Sequence, residues 1–196
     1  MKPFVFSVNA TAGGGKTTTT RELQKRLPNA KAIYFDDRNY DTDSGINDIG
    51  KWIEEGADVN LWDLRRLADD IEKFKQENPE FIVLDYPFGY RHNLIGPYLD
   101  CSIYIDTPLD IALARRILRD YDRKTLICSW NDENDNRTLF DDMEDWLKGG
   151  RDDFLSGYES AKNDADLIVD GSFTLDKIVE VICEKVIALR NTNFAL

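Results

Sequence analysis

At 196 residues the chain is long enough to bury the core of one α/β domain without disulfide or metal staples. Its 37 acidic side chains against 25 basic ones leave a net charge of −12, which argues against a protein that grips a nucleic acid polymer along a basic face but not against local capture of an anion. Cys101, Cys128 and Cys183 are widely spaced, form no CxxC pair and have no cluster of histidines beside them, so a structural zinc is excluded and reduced, buried thiols are expected.

Phe4-Val5-Phe6-Ser7-Val8 reads as a buried strand. A glycine turn follows, and Thr18 to Leu27 reads as a helix. A strand, a glycine turn and a helix opening at Gly15-Lys16-Thr17 match the phosphate-binding P-loop, G-x-x-x-x-G-K-[ST], with Ala10 in place of its first glycine. The residue types fit the chemistry. Glycines let successive N–H groups face inward as an anion nest, and the helix N-terminus adds unpaired donors and partial positive charge. Ala12, Gly13, Gly14, Gly15, Lys16, Thr17 and Thr18 are therefore the candidate nucleotide-binding residues. Lys16 would reach the β- and γ-phosphates of ATP and do nothing for the fold; the Thr17 hydroxyl would join a Mg²⁺ shell.

Strands and helices then alternate. Residues 31–35 form a second strand, running into Asp36-Asp37. Residues 61–76 carry Leu61, Leu64, Leu67, Ala68, Ile71 and Phe74 at helical spacing, and Asn78-Pro79 ends the helix. A third strand, 81–84, ends in Asp85; a fourth, 102–105, ends in Asp106. Thr107 is placed to cap the next helix, with Pro108 at its first position and Asp110 completing a capping-box-like pattern. In that helix Ile111, Leu113, Ala114, Ile117 and Leu118 share one face, and Arg115, Arg116 and Arg119 the opposite arc. Residues 122–137 lack an apolar period and read as an exposed loop; the acidic run 141–145 reads as a solvated helix start. A fifth strand, 167–169, ends in Asp170, and 174–189 is a final amphipathic helix. Four strands thus run into aspartate at the sheet edge where α/β proteins bind ligands, although turns also favour aspartate there.

Three sets of side chains invite chemistry. Of Asp36 and Asp37, one could take a proton from an acceptor hydroxyl and the other hold Mg²⁺ through water, unless both are turn carboxylates. Asp85 has the position of a Walker-B acid at the tip of an apolar strand. The three arginines could stabilise a transferring phosphoryl group, but periodicity alone favours a solvated helix face. His92, the only histidine, has no partner legible in the sequence and suits a loop or interface; Trp62-Asp63 could line an acceptor pocket.

Taken together, Gly13-Gly14-Gly15-Lys16-Thr17-Thr18, Tyr34-Phe35-Asp36-Asp37, Trp62-Asp63, Ile103 to Pro108 and Arg115-Arg116-Ile117-Leu118-Arg119-Asp120 resemble the uridine kinase and nicotinamide riboside kinase group of nucleoside/nucleotide kinase-like P-loop proteins, over roughly residues 3–125. The resemblance implies an α/β P-loop NTPase fold, a five-stranded parallel sheet of order 2-3-1-4-5 with helices on both faces. Residues 1–196 read as one kinase domain, and the segment at about 119–137, although unlike a standard lid of the family, is expected to be a mobile lid. The resemblance assigns Asp36 as base, Arg115, Arg116 and Arg119 as arginines over the phosphates, and Thr17, Asp37 and Asp85 to the metal. The implied activity is transfer of a phosphoryl group from ATP, with Mg²⁺, to a nucleoside-like hydroxyl. The donor half of the pattern is well kept. The acceptor half departs: Asp85-Tyr86-Pro87 replaces the family's Glu-Gly, and residues 41–45 replace its familiar loop. Kinases of other acceptors (an antibiotic, a pantetheine-type alcohol, a nucleoside monophosphate) stay open, as does a nucleotide-binding regulator with little turnover. A soluble, cytoplasmic protein is expected, with ATP and a small molecule as partners, a homodimer left open, and neither a nucleic acid polymer nor a membrane.

Overall fold

The computed structural model describes residues 2–36, 40, 46, 49–128 and 137–193. Five strands form one all-parallel sheet in the order β2-β3-β1-β4-β5: β1 Phe4–Ala10, β2 Ala30–Tyr34, β3 Phe81–Asp85, β4 Cys101–Asp106 and β5 Leu167–Asp170. β1 is buried along its whole length, as a central strand covered on both faces must be. Its residues alternate between two cores. Phe4, Phe6, Val8 and Ala10 pack with α1 (Lys16–Arg26) and α7 (Leu175–Asn193) through Leu23, Ile178, Val179, Ile182 and Val186. Val5 joins the other core, where α3 (Arg65–Gln76) supplies Leu67, Ala68 and Ile71.

The expected sheet order and strand assignments hold, with ends shifted by one or two residues. Four helical features differ from the sequence reading. α3 starts at Arg65, not at residue 61, because Trp62 is extended and Asp63 accepts the Arg65 N–H at 3.2 Å. α4 (Leu109–Asp120) has Pro108 at its N-cap position and no side-chain cap; Thr107 is used elsewhere. The apolar arc of α4 is not its buried face either, since Ala112 and Asp120 are its buried residues while Leu118 is 67% exposed. Finally, helices that the pattern did not mark appear at α2 Ile49–Glu54 and α6 Arg151–Asn163, and α5 spans Leu139–Asp145. The acidic run does start a helix. Thr138 and Asp141 close a reciprocal capping box at α5, with the Thr138 N–H bonded to Asp141 at 2.8 Å.

In the stretch expected as loop, Tyr121 bridges Cys128 and Ile127 bridges Thr138; residues 129–136 of the expected lid lie outside the described residues. Among the described residues no helix is long and apolar enough to cross a membrane.

Candidate functional site

The site begins at the end of β1. Ala10 completes the strand, and its methyl lies 2.8 Å from where a Cβ on Gly14 would be, so Gly14 has no room for a side chain. Gly13 and Gly15 sit at φ of +81° and +98°, the left-handed region that glycine enters freely. The turn closes through the Gly14 N–H to Thr11 carbonyl bond at 2.8 Å, and α1 begins with Lys16. Ala10 therefore fits the first position of the pattern as a strand residue without cost.

The C-terminal sheet edge opens as a cleft of about 770 Å³ around this loop. Ala12 to Thr18 line its floor, so every candidate nucleotide-binding residue is brought together there. The strand order decides what flanks it. On the β2/β3 side stand Phe35, Asp36, Trp52, Ile53, Trp62, Pro87 and Phe88. On the β4/β5 side stand Arg115 and Arg119 of α4 with Phe173, Leu175 and Ile178 of the β5–α7 turn. Phe35 meets Phe88 edge-on at 5.8 Å between ring centroids, and Trp62 lies 5.5 Å from Phe88 and 6.0 Å from Trp52. These offset and edge-on contacts make a stiff aromatic wall.

The Lys16 ammonium lies 2.5 Å from Asp85 and 3.9 Å from Asp36. Asp85 is 2% exposed and forms an ion pair with the lysine, its buried Oδ1 making no aligned hydrogen bond, whereas Asp36 is 71% exposed and faces the cleft. Lys16 is thus also a structural counter-ion for a buried carboxylate, a role the sequence did not suggest. Asp37 lies outside the described residues. Thr17 lines the cleft, while Asp85 lies behind it, paired with Lys16; a hydroxyl and a carboxylate are oxygen donors of the kind a hard cation such as Mg²⁺ takes.

The three arginines diverge. Arg115 reaches over the loop, its Nη1 being 3.8 Å from where a Gly15 Cβ would be. Arg119 lines the cleft and is held by Asp120, through Nε at 2.5 Å and Nη2 at 2.9 Å; this bond raises its pKa, and the nearby Asp36 charge adds to the effect. Arg116 is not on the cleft wall. Its stem packs on Gly13 and its Nε is 3.8 Å from the buried Asp120 carboxylate. Gly13 permits this contact, because a Cβ there would be 2.3 Å from the Ala112 carbonyl oxygen.

Other expectations sort themselves around this centre. Asp106 pairs with Lys162 of α6 at 2.8 Å, while Asp170 accepts from Ser172, the turn role anticipated for some strand-end aspartates. Asp63 turns away from the cleft to Arg65, whose guanidinium holds its carboxyl down at about 2. His92 is buried and joins two loops: its Nδ1 accepts the Leu94 N–H at 3.2 Å, so its Nε2–H donates to the Trp62 carbonyl at 3.0 Å. The sequence reading missed the aromatic wall at Phe35 and Phe88, whose residues look like ordinary strand-end core. It also missed Phe173 and Leu175.

No protein-family model matches the chain. The uridine kinase of Streptococcus mutans serotype c is 22% identical over an alignment covering 97% of each chain. Among solved structures, TT1252 from Thermus thermophilus superposes with a TM-score of 0.54 at 15% identity, covering 96% of this chain and 98% of that one. The shikimate kinase of Bacteroides thetaiotaomicron superposes with a TM-score of 0.50 at 13% identity, covering 93% and 98%. With its phosphate loop and its 2-3-1-4-5 sheet the chain has the fold of the P-loop kinases, and along its whole length it is similar to a protein named uridine kinase.

Proposed function

We propose that this kinase transfers the γ-phosphoryl group of Mg·ATP to a hydroxyl of a nucleoside-like acceptor. One observation carries the reading: a single cleft joins the glycine loop and Lys16 to the exposed Asp36 carboxylate and to an aromatic wall on the β2/β3 side. Such a wall suits a flat, uncharged ring.

In this mechanism the loop amides and Lys16 hold the β- and γ-phosphates. Asp36 takes the proton of the acceptor hydroxyl as its oxygen attacks phosphorus. Arg115 and Arg119 converge from α4 to meet the charge spread over the equatorial oxygens. Arg116 acts from behind, by packing on Gly13 and pairing with Asp120. Thr17 and Asp85, with Asp37, would hold Mg²⁺, which supplies further neutralisation of phosphate charge when bound. The segment 119–137 serves as a lid that excludes water while the group transfers.

The test is product analysis after incubation with Mg·ATP and a panel of nucleosides, a nucleoside monophosphate, a pantetheine-type alcohol and an aminoglycoside. A phosphorylated nucleoside in the mass spectrum is the expected result. Phosphorylation confined to a non-nucleoside would overturn the acceptor assignment, and tight ATP binding without any product would favour a regulatory binder.

A further inference from the structure

Thr107 stands where a helix cap would be expected, between β4 and α4, yet it does not cap. Its hydroxyl donates to the Gly14 carbonyl at 2.8 Å, 93 residues away in the chain, and the residue is 3% exposed. α4 is left with no side-chain cap. The contact is tight on its other side as well. A Cβ on Gly171 would fall 2.0 Å from Thr107 Oγ1, so the turn after β5, whose own N–H bonds to the Asp106 carbonyl at 2.9 Å, is shaped to leave this hydroxyl in place.

The bonded carbonyl belongs to the peptide between Gly14 and Gly15. A trans peptide is planar, with its C=O and N–H pointing in opposite directions. A hydroxyl that draws the Gly14 oxygen toward Thr107 therefore turns the Gly15 N–H the opposite way. Glycines flank this peptide on both sides, Gly15 at φ +98°, so no Cβ resists its rotation. A flipped peptide would present a carbonyl oxygen where an anion needs a donor.

We propose that Thr107 is a positioning residue for phosphate binding: its hydroxyl fixes the Gly14–Gly15 peptide so that the Gly15 N–H is presented to the phosphate before the nucleotide arrives. The proposal rests on the reading of the glycine loop as the nucleotide phosphate site and is independent of the acceptor. It also links the floor of that site to its β4/β5 wall, because the residue that orients the loop is locked in place by the turn carrying Phe173 and Leu175.

The experiment compares the affinities of wild type, Thr107→Val, Thr107→Ala and Thr107→Ser for Mg·ATP and for inorganic triphosphate, which carries no base or ribose. Thr107→Val keeps the branched shape and removes the donor. Losing one oriented hydrogen bond should weaken both probes by about three- to tenfold in the Val and Ala variants, while Ser, which keeps the hydroxyl, should bind as wild type does. If Val fails to fold, Ala carries the comparison, with far-UV circular dichroism as the check on structure. A lowered Tm with unchanged affinity for both probes would make Thr107 a merely structural residue and overturn the proposal. So would weakening for Mg·ATP but not for triphosphate. A wild type that binds neither probe would overturn the phosphate-site reading itself, a different result from wild-type binding that the variants leave unchanged.

Discussion

Lys16 has two partners to satisfy, and that sets what its replacement does. It lies 2.5 Å from a carboxylate with almost no access to water, so Lys16→Ala removes the counter-ion of Asp85 as well as the phosphate ligand. Stripping one partner from a buried pair typically costs about 3–5 kcal/mol. The variant should lose most phosphoryl transfer and also melt earlier. Adding Asp85→Asn to Lys16→Ala should recover much of the Tm and none of the activity, as thermal denaturation alongside turnover would show. A Lys16→Ala protein as stable as wild type would mean that water reaches Asp85 freely. Elsewhere at this scale burial works on thiols. The Cys101 side chain is fully buried in the sheet, and desolvation pushes its pKa up to about 12. It should resist iodoacetamide at neutral pH in the native protein and react only on unfolding, when thiolate becomes available.

α4 shows how an element can be named correctly from sequence and oriented wrongly. Its apolar residues trace an arc that should face a core, but the helix lies on the glycine loop, and its inward line runs from buried Ala112 through partly buried Arg116 to buried Asp120 at intervals of four. Hydropathy counts charged groups as outward-facing, so a buried face made of one small residue and an ion pair is invisible to it. The readable clue was the pairing of Gly13 with a helix carrying Ala112 four residues before Arg116. Gly13→Ala should therefore act through α4. Its φ of +81° strains any other residue by about 1–2 kcal/mol, and the new methyl would displace the Ala112 carbonyl. Lower Tm together with lower kcat is expected. Asp120→Asn keeps the side chain's shape but weakens its grip on Arg119 and Arg116; it should depress kcat more than ATP affinity, and Asp120→Glu should recover part of the loss. α6 escaped the sequence reading, whereas the acidic run had marked the start of α5.

At the scale of the whole molecule, the strand order does most of the functional work. Placing β1 between β3 and β4 puts the loop at the centre of the sheet edge, the exposed carboxylate and aromatic wall on one flank and the arginines on the other. The strands were legible because continuous apolar runs ending in aspartate and a glycine loop are strong local signals; their order was legible only through the family resemblance. The acceptor wall was not, because it is assembled from Phe35, Trp52, Trp62 and Phe88, which come from four separate stretches and meet only in the fold. A nucleotide bridging these flanks should stabilise the whole chain. At a hundredfold excess over Kd the gain is about 2.7 kcal/mol. For a protein of this size that is a rise in Tm of roughly 5–10 °C with Mg·ATP. Absence of any shift at saturating Mg·ATP would count against the cleft as its site.

The central claim is that Asp36 and the glycine loop act on one phosphoryl group in one cleft. The rate of ADP formation from Mg·ATP, with and without a nucleoside acceptor, on wild type and Asp36→Asn, tests it most directly. Wild type should form ADP in proportion to phosphorylated nucleoside, and Asp36→Asn should lose about 10²–10⁴-fold of that rate while holding ATP within about threefold of wild-type affinity. Acceptor-dependent turnover that survives Asp36→Asn, or ADP formation indifferent to every acceptor, would contradict it.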